Sequence, residues 1–173
     1  MILILGRSGS GKDTVAKFIE KHYRKRILKS YTNRPKRYPS ENTHVFLDKE
    51  ELDQIHGRVC QTEINGYLYF ATKIQMLTND VYVIDPNGMR ELLSNMPDMS
   101  FKVIYVKADN ETRKERILKR LNDEEIYQAR EQSEAWQFTK FEEEINNGKY
   151  NVDVIDNSSD MAALEQNIVK ILG

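Results

Sequence analysis

The sequence has a single cysteine, Cys60, and only four prolines among its 173 residues. One cysteine excludes an intrachain disulfide and a zinc site built from several cysteines. Neither sign of charge is in excess, because 26 Lys and Arg stand against 27 Asp and Glu, for a net charge of −1. This balance gives no global electrostatic reason to expect a nucleic acid or an anionic membrane as the main partner. A binding site for an anion must therefore be local.

Long apolar runs are missing as well. The longest contain only a few residues, so we expect no segment that spans a bilayer. The first five residues contain no basic residue and are followed directly by a glycine and a charged residue, which is not the pattern of a signal peptide. We therefore expect a cytoplasmic protein, monomeric or homodimeric, whose length fits one domain over residues 1–173.

Short apolar runs typical of buried strands alternate with helical patterns along most of the chain. The strand-like runs are residues 2–5, 81–84, 103–106 and 152–155. The helical patterns are residues 12–22, 89–95, 111–121 and 161–172. Because a parallel crossover needs a covering element of this length, the alternation predicts an α/β fold with a parallel sheet flanked by helices.

Two segments depart from this alternation. Residues 40–72 contain three short strand-like pieces, at residues 43–47, 58–64 and 67–71. The last two flank the pair Asn65-Gly66, which is a specific signal for a hairpin turn. We interpret this segment as a small β insertion. Residues 123–147 are charged and helical, and we interpret them as a lid followed by a long helix. We expect its aromatic residues, Trp136, Phe138 and Phe141, to pack against the core.

The strongest motif follows the first strand-like run. Residues 6–14 read Gly-Arg-Ser-Gly-Ser-Gly-Lys-Asp-Thr and lead into a helical pattern. Glycines let the backbone approach a polyphosphate and turn its N–H groups inward, and the lysine adds a positive charge. The pattern predicts a P-loop. Its nucleotide-binding residues would be Gly6, Arg7, Ser8, Gly9, Ser10, Gly11, Lys12, Asp13 and Thr14.

The pattern leaves several candidates for the metal ligand of this loop. A P-loop has Ser or Thr after the lysine, and here that position is Asp13. Mg²⁺ could be held by Asp13, by Thr14, or through waters. Asp85 ends the apolar run 81–84, where a carboxylate could orient the metal. It could equally cap the helix that begins at Pro86, and the two roles are compatible.

A second anion site is predicted at residues 30–37, which read Ser-Tyr-Thr-Asn-Arg-Pro-Lys-Arg. Arg34 and Arg37 lie three residues apart on a loop stiffened by proline, which suits bidentate contacts to a phosphate. Alone, such a basic loop is more often a solvated surface. Beside a P-loop, an acceptor phosphate held in line for phosphoryl transfer becomes the better interpretation.

With these motifs the chain resembles the guanylate kinase family nearly from end to end. That family follows its P-loop with a Ser-x-Thr-x-Arg-x-x-Arg loop, which Ser30, Thr32, Arg34 and Arg37 match. The resemblance implies a P-loop NTPase fold with an acceptor-binding insertion at about residues 31–75 and a short helical lid at about residues 117–133.

The resemblance also assigns roles to individual residues. Tyr69 takes the place of a family tyrosine on the acceptor phosphate, and Asp85 joins the acceptor site. Lys12 and Arg34 would act on the phosphates, together with three lid arginines that neutralise the transferred group: Arg116, Arg120 and Arg130.

The sequence departs from the family where guanine is recognised. A family glutamate that reads the guanine edge falls at Cys60, with Glu63 near enough for a shift of register. A family aspartate is replaced by Val83, and a family tyrosine by His44. The segment after Arg37 also differs and contains Glu41, which is open between turn chemistry and substrate contact.

Some of these departures are shared with the ribose 1,5-bisphosphate phosphokinases. The chain is similar to them in Gly-Lys-Asp at residues 11–13, in the run Ser-Glu-Asn-Thr-His at residues 40–44, and in Asn65-Gly66. Phage-type deoxynucleoside monophosphate kinases share Gly-Lys-Asp-Thr as well.

The resemblance therefore implies an enzyme that uses ATP and Mg²⁺ to phosphorylate a nucleoside monophosphate, GMP or dGMP first among them. A sugar-phosphate kinase is the second interpretation, and a non-catalytic binding module is the third. The substrate-binding residues expected for the acceptor are Ser30, Arg34, Arg37, Glu41, His44, Glu63, Tyr69 and Asp85.

Overall fold

The computed structural model describes all 173 residues. Five strands form the main sheet: β1 (Ile2–Leu5), β2 (Ile27–Leu28), β7 (Val81–Val83), β8 (Lys102–Lys107) and β9 (Val152–Asp156). They lie in the order β2-β7-β1-β8-β9, and every neighbouring pair is parallel. The carboxyl ends of all five strands therefore meet at one edge, where ligands bind in open α/β sheets.

Four further strands form a separate small sheet: β3 (Tyr31–Thr32), β4 (Val45–Phe46), β5 (Arg58–Ile64) and β6 (Tyr67–Thr72). Their order is β4-β3-β6-β5. Strands β5 and β6 form an antiparallel hairpin closed by Asn65 and Gly66, whose φ angles are 53° and 78°. Positive φ at both positions is the geometry of a type I′ turn, which matches the twist of the strands it joins.

Seven helices complete the fold: α1 (Lys12–Tyr23), α2 (Lys49–Asp53), α3 (Lys73–Thr78), α4 (Pro86–Asn95), α5 (Asn110–Leu121), α6 (Glu124–Asn146) and α7 (Met161–Leu172). Local side chains fix several of their starts. Asp48 and Glu51 form a capping box on α2, and Thr72 and Gln75 form another on α3. None of the helices is both long and apolar enough to cross a membrane.

The core has two layers because residues along the buried strands alternate between the faces of the main sheet. Leu3 and Leu5 of β1 belong to one cluster, which also contains Phe138 and Phe141 of α6. Ile4 belongs to the other, with residues of α1 and α7. Burial on both faces explains why the strands appear in the sequence as continuous apolar runs.

The predicted α/β fold is confirmed. Residues 117–133, predicted as a short helical lid, form the end of α5 and the start of α6, and only Asn122 and Asp123 separate the two helices. That this segment closes over a ligand stays a prediction. The prediction for Trp136 was wrong, because its side chain is 66% exposed. Phe138 and Phe141 are buried as predicted. Two residues of helix rotate a side chain to the far side, so Trp136 cannot share their buried face.

Candidate active site

The glycine-rich loop joins β1 to α1 at the carboxyl edge of the main sheet. Gly9 and Gly11 have φ angles of 80° and 92°, a region that side chains rarely adopt. A side chain at Gly9 would also lie 2.7 Å from the backbone oxygen of Arg113. Conformation and close packing thus both require glycine here, as the motif predicts.

Three carbonyl groups of this loop accept hydrogen bonds from side chains of other segments. The Ser8 oxygen accepts a hydrogen bond from Arg113 (3.3 Å) and the Gly9 oxygen accepts one from Arg116 (3.3 Å). The Ser10 oxygen accepts one from the Nδ2 of Asn157 (2.8 Å). Three side chains therefore fix the peptide planes of consecutive residues.

The Ser10 amide donates to the backbone oxygen of Arg7 (3.0 Å), but other amides of the loop and of the first turn of α1 are free. Those of Gly9, Gly11, Lys12 and Asp13 donate no hydrogen bond within the protein. The ammonium group of Lys12 also has no partner, and neither does the exposed side chain of Thr14. Free amides with a positive charge at the start of a helix form a site for phosphate groups.

Arg7 and Ser10 contribute less directly than the motif suggests. The guanidinium of Arg7 points towards α6, 3.9 Å from Glu131 and above the ring of Phe138. The Ser10 hydroxyl is buried without a partner, and it occupies the space that a side chain at Gly6 would need.

A cavity of about 320 Å³ adjoins the loop. It is lined by Gly11 and Thr14 from the start of α1, by Arg116 from α5, and by Asn157 and Ser159 beyond β9. Arg116 also donates to the backbone oxygen of Asn157 (2.9 Å), so the two sides of the cavity are tied together. Arg116 thus lies beside the glycine-rich loop.

The predicted arginine loop is organised by a buried carboxylate. Glu41 is 1% exposed and accepts from both terminal nitrogens of Arg34, at 2.8 and 3.3 Å. It also accepts from the backbone N–H of Arg37 (2.6 Å) and from the hydroxyl of Thr43 (3.2 Å). Burial opposes ionisation, but the hydrogen bonds from Arg34 and Arg37 outweigh it and lower the pKa of Glu41 to about 2. Glu41 therefore positions both arginines.

One donor of Arg34 stays without a partner despite this pairing. Its Nε is buried and has no hydrogen-bond partner. Burial opposes its charge, but the Glu41 carboxylate and the nearby Tyr69 hydroxyl outweigh that and raise the pKa of Arg34. The side chain is thus a fixed cation with unused hydrogen-bonding capacity.

His44 and Ser30 lie beside this loop. The Ser30 hydroxyl and the Nδ1 of His44 are 2.9 Å apart, and the His44 ring packs edge-on against Tyr69. Burial, followed by the charges of Arg34 and Arg37, lowers the pKa of His44 to about 4. His44 is therefore a neutral hydrogen-bonding group at physiological pH.

The other predicted arginines converge on the same region. Burial and then the charges of Arg34 and Arg120 lower the pKa of Arg37. Burial and then the charges of Arg37 and Arg120 lower that of Arg130. Arg130 also donates to the Ser8 hydroxyl (3.4 Å). Four guanidinium groups from three segments thus lie near one another beside the glycine-rich loop, which gives this region a local positive charge that would attract an anion.

Asp85 is the N-cap of α4. Its Oδ1 accepts from the amides of Asn87 and Gly88, and its Oδ2 accepts from the hydroxyl of Thr62 (3.0 Å). Both oxygens are therefore engaged. Asp13 is exposed and unpaired, next to Lys12, so it is the freer carboxylate for a metal ion. No group of three or more His, Cys, Asp or Glu side chains is arranged to hold a metal without other ligands.

Cys60 and Glu63, the two positions considered for the glutamate that reads the guanine edge, lie outside this region. Cys60 is 2% exposed and packs in the core, with its sulfur 3.8 Å from the Tyr82 hydroxyl. Burial raises its pKa to about 11. Glu63 is exposed on the opposite face of β5 from Thr62, which contacts Asp85.

Several residues of the site were not predicted from the sequence. Arg113, Asn157 and Glu134 all contact the glycine-rich loop, although they are more than 100 residues away along the chain. Asn157 comes directly after β9, and a polar residue at the carboxyl end of a parallel strand is a signal that could have identified it. Arg113 and Glu134 carry no such signal.

Comparison with known proteins gives a family and a fold. The model of a family described as AAA domain matches residues 2–137. A guanylate kinase from Anaplasma phagocytophilum is 20% identical with a TM-score of 0.65, over 99% of this chain and 84% of that one. A gluconokinase from Sinorhizobium meliloti 1021 is 14% identical with a TM-score of 0.54, over 99% and 90%. No curated protein matches the sequence. The resemblance to guanylate kinase and the P-loop NTPase fold are thus confirmed.

Proposed function

The chain belongs to the AAA domain family, and on this premise we propose that it is an ATP-dependent kinase that phosphorylates a small phosphate-bearing acceptor. One observation carries the proposal. A glycine-rich loop with free amides and an unpaired lysine lies beside a cluster of four arginines. Phosphoryl transfer requires alignment of donor and acceptor and neutralisation of the charge between them, and this arrangement supplies both.

The donor would be ATP bound through its phosphates. The free amides of the loop and Lys12 fit the β- and γ-phosphates, and the cavity beside Arg116 and Asn157 is within reach for the rest of the nucleotide. Mg²⁺ would be held by Asp13 and the phosphates, and would offset their negative charge. Asp85 would orient the metal through waters, because its own oxygens are engaged.

The acceptor phosphate would bind between the two sheets. Arg34 and Arg37, which Glu41 orients, would bind this phosphate, and the Tyr69 hydroxyl would donate a hydrogen bond to it. Arg120 and Arg130 would neutralise the group in transfer.

The resemblance to guanylate kinase favours a nucleoside monophosphate as the acceptor, and GMP and dGMP are the first candidates. One observation favours a second candidate, a sugar bisphosphate. The position expected to read guanine is the buried Cys60, and Glu63 faces away. A pocket that recognises guanine must pair its N–H donors, so a missing carboxylate reduces discrimination strongly.

A non-catalytic binding module is the third candidate. The unpaired ammonium group of Lys12 and the cluster of arginines beside it argue against this candidate, because a pure binding module has no need of a site for phosphate groups.

A panel of acceptors tests the proposal. ADP release from Mg·ATP would be measured with GMP, dGMP, the other nucleoside monophosphates and ribose 1,5-bisphosphate. We expect acceptor-dependent release that is abolished in Lys12→Ala and retained in the control Lys17→Ala, an exposed lysine of the same helix. Release with GMP and dGMP alone would establish the first candidate, and release with the sugar bisphosphate alone the second. No release with any acceptor would contradict a kinase.

A further inference from the structure

One residue of the glycine-rich loop, Ser8, is held on every side by α5 and α6. Its amide donates to the Oε2 of Glu134 (2.8 Å), and its hydroxyl donates to the Oε1 (2.6 Å). Its carbonyl oxygen accepts from Arg113, and its hydroxyl oxygen accepts from Arg130. All the polar groups of Ser8 therefore face these two helices, while the free amides begin at the next residue, Gly9.

The two helices are joined to each other at the same point. Arg113 of α5 is 1% exposed and forms two parallel hydrogen bonds with Glu131 of α6, at 2.6 and 2.9 Å. The same two terminal nitrogens also donate to the Oδ1 of Asn110 (2.7 Å) and to the backbone oxygen of Ser8 (3.3 Å). Bidentate pairs of this kind fix orientation as well as distance. Ser8, α5 and α6 thus form one hydrogen-bonded unit.

Stability alone does not account for this unit. Burying a charged pair costs desolvation that its attraction often does not recover, and apolar residues of similar size commonly serve the core as well. Here the charged side chains contact Ser8 of the glycine-rich loop, and the amides of Gly9 and Gly11, which follow in the same loop, are free to bind phosphate. The same two helices also present Arg116, Arg120 and Arg130 to that region.

We propose that Arg113, Glu131 and Glu134 are positioning residues, which hold Ser8 so that the glycine-rich loop and the arginines of α5 and α6 are set in one mutual geometry. The inference rests on the proposed kinase function for its catalytic consequence. Its structural consequence is that a ligand bound to the loop stabilises α6 through Ser8, and this does not depend on that function. Positioning errors of about 1 Å can cost about 100-fold in rate, so these residues should affect turnover more than binding.

The main test compares Glu134→Ala with Glu134→Gln and with Glu125→Gln, an exposed carboxylate of the same helix. We expect kcat to fall about 10- to 100-fold in Glu134→Ala, with the Kd of Mg·ATP changed less than about threefold. Glu134→Gln keeps one accepting oxygen and should recover part of the loss, and the control should match wild type. An unchanged kcat in Glu134→Ala, or a loss explained entirely by weaker ATP binding, would overturn the proposal.

Hydrogen exchange provides a readout that is independent of turnover. In the wild-type protein, Mg·ATP should slow exchange along α6, and this protection should disappear in Glu134→Ala even at saturating Mg·ATP. Equal protection in both proteins, or none in wild type, would contradict the coupling. Arg113→Lys serves as a second variant, since it keeps the charge but cannot make the bidentate contact. Failure of the kinase function itself would appear separately, as absence of transfer by the wild type.

Discussion

The buried carboxylate of Glu41 allows a quantitative prediction about the arginine loop. Glu41→Gln keeps the size of the side chain and removes the charge that faces Arg34 and the Arg37 amide. The pKa of Glu41 falls from 4.5 to about 2. Since one pKa unit corresponds to about 1.4 kcal/mol, the ionised carboxylate contributes about 3 kcal/mol to the free energy of unfolding. For a chain of this length, the melting temperature should fall by about 6–12 °C.

The dependence on pH has a definite sign. The folded state keeps Glu41 ionised down to about pH 2, whereas the unfolded state protonates it near pH 4.5. The contribution is therefore complete above that range and is lost as the pH falls from about 4.5 to about 2. Wild type and Glu41→Gln should differ at neutral pH and converge in acid.

Urea unfolding followed by circular dichroism at several pH values measures this difference. Glu63→Gln is the matched control, because Glu63 is an exposed carboxylate of the same small sheet and has no partner. Its stability should stay within about 0.5 kcal/mol of wild type. If Glu41→Gln were as stable as Glu63→Gln at pH 7.5, the role assigned to the Arg34–Glu41 pair would be wrong.

Three further predictions concern single residues. The pKa of His44 is lowered from 6.5 to about 4 in the folded state, so the unfolded state binds a proton first as the pH falls. The free energy of unfolding of wild type should therefore decrease by up to about 2 kcal/mol between pH 7.5 and 5. In urea unfolding, His44→Asn should not show this pH-dependent decrease in the free energy of unfolding. An identical decrease in the variant would contradict the lowered pKa of His44. The pKa of Cys60 is raised to about 11 by burial, so iodoacetamide should label the native protein at least about 100-fold more slowly than the unfolded chain; rapid native labelling would contradict the burial. The free energy of unfolding of Gly11→Ala should be about 1–3 kcal/mol lower than that of wild type, and the variant should bind Mg·ATP more weakly, because the new methyl group collides with Asn157. Gly148→Ala, at a similar φ in open space, is the control, and equal effects on Mg·ATP binding would exclude the collision as the cause.

Local chemistry made much of the fold predictable. The turn at Asn65 and Gly66 needs two residues that tolerate positive φ, and few other pairs do. The glycine-rich loop is recognisable for the same reason, since Gly9 and Gly11 adopt conformations that other residues avoid. Strands buried on both faces of a parallel sheet must be apolar throughout, so β1 and β8 stand out in the sequence.

The contacts that organise the site could not be predicted in this way. Ser8 and Glu134 are 126 residues apart, and no periodicity or spacing relates them. Glu41 lies in a segment rich in turn-forming residues, where a buried carboxylate has no local signature. Its role depends on the path of the whole loop, which returns the side chain beneath Arg34.

As a kinase, the protein would use the glycine-rich loop and the arginine cluster to transfer a phosphoryl group between two bound ligands. The most direct measurement follows the label of [γ-³²P]ATP in the presence of each acceptor, for wild type and Lys12→Ala. We expect label on the phosphate of one acceptor class with wild type, and none with Lys12→Ala. Label released only as inorganic phosphate, at the same rate with and without acceptors, would contradict this transfer.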